Sequence, residues 1–142
     1  MKKRLISLLV VVIFLVLGCS NVPLGDGSLE GRLPRGWHDS QRLDRITILR
    51  VTNDWVPVPF EIKVSRAPKD TLLSKQGAWV FLKEEKIPGP TVPLGDGWKK
   101  TERQVWVYVK RFEDGRVLTA SVDTRFDKAK AEKFLNSLRF VR

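Results

Sequence analysis

Few residues in this chain have the chemistry of a catalytic group, and their spacing does not predict an active site. The sequence contains one cysteine, Cys19, and one histidine, His38. His38, Asp39 and Ser40 are consecutive, whereas a catalytic triad is assembled across a fold, and neighbours on an extended chain point to opposite faces. One histidine and one cysteine cannot form a zinc site without several carboxylates. We therefore expect no catalytic residues, no metal ion and no cofactor, and predict that the protein is not an enzyme.

The acidic residues do not predict a catalytic site either. Two adjacent pairs, Glu84-Glu85 and Glu113-Asp114, are interpreted as solvated turn residues, because neither suggests the separated acid and base that glycoside hydrolysis requires. The sequence contains neither a P-loop nor a dinucleotide-binding glycine motif.

The surroundings of Cys19 predict export. A basic group, Lys2 to Arg4, precedes the segment Leu5–Leu17, which is apolar except for Ser7. A helix of that length rises about 20 Å, whereas a bilayer core is about 30 Å thick. The segment is therefore too short to span a bilayer comfortably and has the length of a signal-peptide core.

The residues Val16-Leu17-Gly18-Cys19 resemble the lipobox of bacterial lipoproteins. The resemblance implies that residues 1–18 are a signal peptide and that the Cys19 thiol carries a diacylglyceryl anchor, with fatty acids such as palmitate. An ordinary secretory signal or an uncleaved anchor is the alternative. We expect a location in the bacterial cell envelope, membrane-anchored by lipid. The outer membrane is favoured if the host has one, because Ser20 stands where retained lipoproteins carry aspartate.

The charge of the chain favours anionic partners. The formal net charge is +10, and removal of Lys2, Lys3 and Arg4 with the signal peptide lowers it to +7. Nucleic acid would lead the possible partners of a basic cytosolic protein. For an exported protein we instead expect an anionic envelope component or a protein partner. The oligomeric state stays open.

The mature chain is divided into a tether and one domain. Residues 19–31 are rich in small and turn-forming residues and predict a flexible tether, and residues 32–142 predict a single α+β domain. The stretch VPLGDG occurs in the tether, at Val22–Gly27, and again at Val92–Gly97. Since the flanks of the two copies differ, we interpret them as the same turn chemistry used twice, with a shared binding function as the alternative.

Alternating residues predict several strands. The residues of Phe60–Arg66 alternate between apolar and polar, and Arg45–Val51 and Ala78–Lys83 are also strand-like. The segment Ile87–Gly97 has three prolines and three glycines and predicts a long connection.

Asp114-Gly115 predicts a β-hairpin with a two-residue loop. In that register Val109 pairs with Ala120, and one face carries only Val, Leu and Ala, which is the expected core face. The opposite face carries Trp106, Tyr108 and Lys110, which form the candidate binding face. Burial of that face under the segment around Trp37 is the alternative.

A helix is predicted near the C-terminus. Thr124 and Asp127 fit a capping box, and the apolar residues of 126–138 fall at helical spacing: Ala131, Phe134 or Leu135, and Leu138. We expect this helix to cover the core face of the hairpin, with Phe140 closing the edge. The predicted fold class is α+β, a twisted antiparallel sheet with a C-terminal helix packed on one face.

The stretch LPRGW at Leu33–Trp37, together with the hairpin and the helix ending in SLRF, resembles PsbP-like domains. The resemblance spans residues 31–142 and implies an antiparallel sheet flanked by helices and an accessory or assembly role. The predicted function is a lipid-anchored, non-catalytic binding or assembly module of the envelope. The alternatives are an enzyme acting on envelope glycan or peptidoglycan, and a carrier of an apolar ligand held between sheet and helix.

Overall fold

A computed structural model describes residues 21–40, 49–53, 60–68 and 77–141 of the chain. The predicted signal peptide and Cys19 lie outside the described residues, as do residues 45–48 of one predicted strand.

The larger of two sheets has six strands, and all its described pairings are antiparallel. The strands are β3 (His38–Asp39), β4 (Leu49–Asn53), β5 (Phe60–Ala67), β6 (Val80–Leu94), β7 (Gly97–Arg111) and β8 (Val117–Asp123). Their order in the sheet is β3-β4-β5-β8-β7-β6, so β6 lies at one edge and β8 lies in the interior.

A small second sheet and one helix complete the described fold. The small sheet has the order β1-β2-β9, formed by β1 (Val22–Leu24), β2 (Leu29–Gly31) and β9 (Arg139–Phe140). Helix α1 spans Lys128–Ser137. The predicted α+β class, with antiparallel strands and a C-terminal helix, is confirmed.

The helix packs its predicted stripe into the core. Ala131, Phe134, Leu135 and Leu138 are all buried. The cap differs from the prediction, because Asp127 is itself the N-cap and its carboxylate accepts the backbone N–H of Lys130 at 2.9 Å. The core cluster that the helix joins includes Phe126, which precedes the helix, and residues of both sheets: Leu24, Leu29, Val51, Ile62, Val64, Tyr108, Leu118, Ala120 and Val122.

The prediction of a flexible tether is wrong for residues 22–31. They form the β1–β2 hairpin, in which Leu24 and Leu29 are almost completely buried. Gly31 lies so close to the helix that an added Cβ would meet Leu138 Cδ2 at 2.8 Å. The turn-forming composition indicated a tether, but the few apolar residues between the turns are core residues.

Both copies of VPLGDG form the first strand and turn of a β-hairpin, which agrees with the interpretation of shared turn chemistry. In each copy Val-Pro-Leu is extended, and the first glycine, Gly25 or Gly95, has φ of 59°. The loops differ in length, since Leu24 pairs with Leu29 whereas Leu94 pairs with Gly97.

The predicted long connection at Ile87–Gly97 is also wrong, because residues up to Leu94 belong to β6. Proline cannot donate to a sheet ladder, but an edge strand tolerates it. Pro88, Pro90 and Pro93 all lie in this edge strand, and the β6–β7 register is irregular between Pro88 and Thr91.

The hairpin at Asp114-Gly115 is present, but its predicted register is wrong by one residue. Val109 pairs with Thr119 and Arg111 with Val117. The Phe112 N–H donates to the Arg116 carbonyl at 2.8 Å, and Gly115, with φ of 86°, closes a three-residue loop. A shift of one residue moves one strand's side chains to the other face. The apolar face of β8 therefore lies beside Trp106, Tyr108 and Lys110.

Candidate functional site

The predicted binding face lies under helix α1, which corrects its placement away from the helix. Tyr108 is only 3% exposed, and its hydroxyl donates to Glu132 Oε1 on the helix at 3.0 Å. The Lys128 ammonium lies 5.3 Å from the Trp106 ring centroid. Burial, and secondarily the bond to Glu132, raises the pKa of Tyr108, and burial also lowers the pKa of Lys110. Trp106 and Tyr108 therefore contact the helix, whereas the Lys110 ammonium lies 4.6 Å from the Phe112 ring centroid.

The space between helix and sheet is filled by side chains. Leu118, Val122 and Leu135 are fully buried there, and Trp79 Nε1 donates to the Leu135 carbonyl at 2.7 Å. Two described clefts lie on other surfaces; one is lined by polar residues, and the other by a mixture of polar and apolar residues. This packing argues against a carrier with its ligand between sheet and helix.

The residues considered for catalysis do not converge. Glu84 and Glu85 are strand residues, not turn residues as predicted, and as neighbours in β6 they point to opposite faces. The Glu61 carboxylate contacts two guanidinium groups, with Arg103 Nη1 at 2.5 Å and Arg50 Nε at 3.1 Å. Across the described residues, no group of three or more His, Cys, Asp or Glu could hold a metal ion.

A hairpin arm, defined here as residues 88–103 of β6 and β7, extends past the end of β8. Strand β8 pairs with β7 only from Val105 to Arg111, whereas β7 begins at Gly97. At about 3.3 Å per residue, the tip lies roughly 25 Å beyond the last β7–β8 pair. The sequence patterns missed this arm because its prolines indicated a loop.

The arm tip exposes large apolar side chains on both of its faces. Trp98 is 75% exposed and Leu94 is 58% exposed. Leu94 pairs with Gly97 and Trp98 with Pro93, so their side chains lie on opposite faces of the hairpin. Lys99 and Lys100 follow directly and are exposed, and Asp96 stands in the turn. The adjacency of Trp98 to a glycine-rich turn is the sequence signal that could have identified this tip.

The arm is held by contacts along its length. The Thr101 hydroxyl donates to the Pro90 carbonyl at 2.5 Å across the two strands. Gly89 permits this approach, because an added Cβ would meet Thr101 Oγ1 at 2.5 Å. At the base of the arm, the Arg103 side chain bonds to Glu61 on β5. The arm therefore emerges from the sheet in a defined direction.

In the part of the chain that the structure describes, no helix is long and apolar enough to cross a membrane. No protein-family model, no curated protein and no solved structure matches the chain.

Proposed function

We propose that this chain is a lipid-anchored lipoprotein of the cell envelope whose single domain is a non-catalytic binding or assembly module, and that the hairpin arm is its contact surface. The observation that carries the proposal is the exposure of Trp98 and Leu94 at the end of a projecting, internally bonded hairpin. Tryptophan is the residue most enriched among binding hot spots.

The charges on the arm favour a protein partner over the bilayer. Asp96 occupies the turn between Leu94 and Gly97, so it would be the deepest residue if the tip entered a membrane. A carboxylate is costly in that environment. Lys99 and Lys100 lie beside the apolar tip, where they complement an acidic rim around an apolar recess.

Lipid attachment at Cys19 would hold this domain close to the membrane. Strand β1 begins at Val22, so only Ser20 and Asn21 stand between the anchored cysteine and the fold. Three residues of fully extended chain span about 10 Å. The resemblance to PsbP-like domains adds to the proposal, because members of that family act as accessory or assembly proteins.

The test is recovery of the partner from membranes that contain a tip variant. Trp98→Ala combined with Leu94→Ser should abolish co-purification of a defined, stoichiometric partner while leaving the unfolding temperature unchanged. Val141→Ala is the matched control, since Val141 is also an exposed apolar residue, at 45%, but lies outside the arm. Retention of the partner by the tip variant, or equal loss in the control, would refute the arm as the contact surface.

A further inference from the structure

Strand β7 has an open edge along the arm. Of the strands that the structure describes, β8 is the neighbour of β7 on that side, and it pairs only from Val105 onward. Residues Gly97–Lys100 are exposed. Among the described residues, no strand pairs with this part of β7 at the position that a longer β8 would fill. We call that unfilled strand position the open lane.

The end of β8 is built to turn away from the open lane. The Asp123 carboxylate is buried and accepts the Arg125 backbone N–H at 3.0 Å and the Arg125 guanidinium at 2.8 Å. The Phe126 N–H donates to the Asp123 carbonyl at 3.1 Å, which completes a turn into the helix. A notch of about 350 Å³ remains between residues 101–104 of β7 and residues 123–125.

The backbone groups that face the open lane can be assigned from their neighbours on β7. The Gln104 carbonyl accepts the Thr124 N–H, and Phe112 bonds to Arg116, so even-numbered residues face the β8 side. The Arg111 carbonyl accepts the Gly77 N–H on the other side. Successive residues alternate in direction along an antiparallel strand. The N–H and C=O groups of Trp98, Lys100 and Glu102 therefore point into the open lane.

The two edges of the arm differ in their protection. The outer edge of the arm, in β6, carries three prolines and one register irregularity, between Pro88 and Thr91, and both features discourage the addition of a further strand. The β7 edge has neither from Gly97 to Gln104. Its protection is the pair Lys99 and Lys100, which discourages another copy of this basic chain but attracts an acidic one.

We propose that the open lane binds an extended, acidic segment of the partner protein by β-strand addition. This deepens the proposed function and depends on the arm being the contact surface. The partner's main chain bonds to Trp98, Lys100 and Glu102, and its end enters the notch beside Asp123. Its acidic side chains lie opposite Lys99, and an apolar side chain packs against Trp98.

Amide hydrogen exchange in the full-length protein in detergent, measured by NMR with a short peptide of alternating glutamate and valine as the probe, tests the proposal. The Trp98, Lys100 and Glu102 amides should exchange rapidly in the free protein and slow on peptide addition. The Lys99 and Arg103 amides, already bonded to β6, should change little. A lysine–valine peptide is the control and should give no protection.

A pair of variants at one position separates the backbone from the side chain. Glu102→Pro removes an N–H that points into the open lane, in an extended segment that accepts proline, and should weaken peptide binding about tenfold or more. Glu102→Ala keeps that N–H and should bind the acidic peptide as well as the parent or better, since it removes a negative charge.

Three results would overturn strand addition: slow exchange of the even-numbered amides without peptide, no protection at millimolar peptide, or equal binding by the proline and alanine variants. Protection that grows with protein concentration alone would identify a second copy as the occupant and also overturn it. If the tip variant loses the partner in membranes while Glu102→Pro keeps it, strand addition is wrong and the arm remains the contact surface.

Discussion

At the scale of single residues, two tryptophans of one strand show how the same type of side chain can lie in two different environments. Trp106 and Trp98 both belong to β7 and both point to its helix side, as their even numbering requires. Trp106 packs against the core cluster beneath Lys128, whereas Trp98 lies beyond the helix at the arm tip. Position along the strand, not residue type, separates the packed tryptophan from the exposed one, to which we assign the proposed contact.

Trp106→Ala should lower the free energy of unfolding by about 3 kcal/mol, because it removes a packed aromatic side chain from the edge of the core. Trp98→Ala should change it by less than about 1 kcal/mol, as exposed substitutions usually do. Denaturant midpoints of the two variants test the assignment. Similar losses in both variants would show that the two residues do not differ in burial.

Tyr108 should make stability fall at alkaline pH. Burial and the bond to Glu132 raise the pKa of the Tyr108 hydroxyl in the folded protein above the ordinary tyrosine value of about 10. The neutral phenol therefore stabilises the fold fully below pH 10, and that contribution is lost as pH rises above it. Tyr108→Phe should have a flatter decline in unfolding free energy above pH 10 than the parent.

The same residue provides a direct spectroscopic measurement, since it is the only tyrosine in the chain. Tyrosinate absorbance in the parent should appear only together with the loss of folded structure at alkaline pH. Tyrosinate that forms near pH 10 while the circular dichroism stays native would contradict the burial of the hydroxyl.

The sequence predicted which residues alternate along each strand of the β7–β8 hairpin, but it did not predict the register that pairs the faces of the two strands. Val105, Val107 and Val109 do share one face, as do Leu118 and Ala120. Their relative placement depends on whether the Asp114-Gly115 loop has two or three residues, a small local difference that reverses the pairing of faces. The candidate binding face was misplaced for this reason.

At the scale of elements, the repeated hexapeptide shows what local sequence determines and what it leaves to distant contacts. Both copies form a hairpin because their residues favour an extended strand followed by a tight turn. Leu24 is buried because β2 pairs with β9 and Gly31 lies against the helix, contacts that join distant parts of the chain. Leu94 has no such neighbours in the described arm and stays exposed.

The two copies provide a matched pair of substitutions. Leu24→Ala should cost about 2–5 kcal/mol of unfolding free energy, because the leucine is 1% exposed within the core. Leu94→Ala, in the same local sequence, should cost less than about 1 kcal/mol. Thermal or denaturant unfolding measures both. A stability loss at Leu24 as small as that at Leu94 would restore the flexible tether.

At the scale of the whole molecule, the α+β class was predictable because a periodic helix and alternating strands are encoded locally. The hairpin arm was not, because proline and glycine give the same signal in a loop and in a protected edge strand. The arm is recognised only once β6 is placed at the edge of the sheet and β8 ends at Asp123.

Anchoring concerns the whole molecule as well. Cys19→Ser should block lipid attachment and leave unprocessed precursor, because the thioether link requires a thiol. Metabolic labelling with a fatty acid and the electrophoretic mobility of the chain report the two steps. A variant that is still labelled, or that is cleaved like the parent, would show that Cys19 is not the anchor.

The most direct test of the arm as the contact surface is photocrosslinking in native membranes, with a photoreactive amino acid placed at position 98 or, as the control, at position 141. We expect one discrete protein adduct from position 98, lost when Leu94 is changed to Ser, and no such adduct from position 141. Adducts to lipid alone from position 98, or the same protein adduct from both positions, would contradict this expectation.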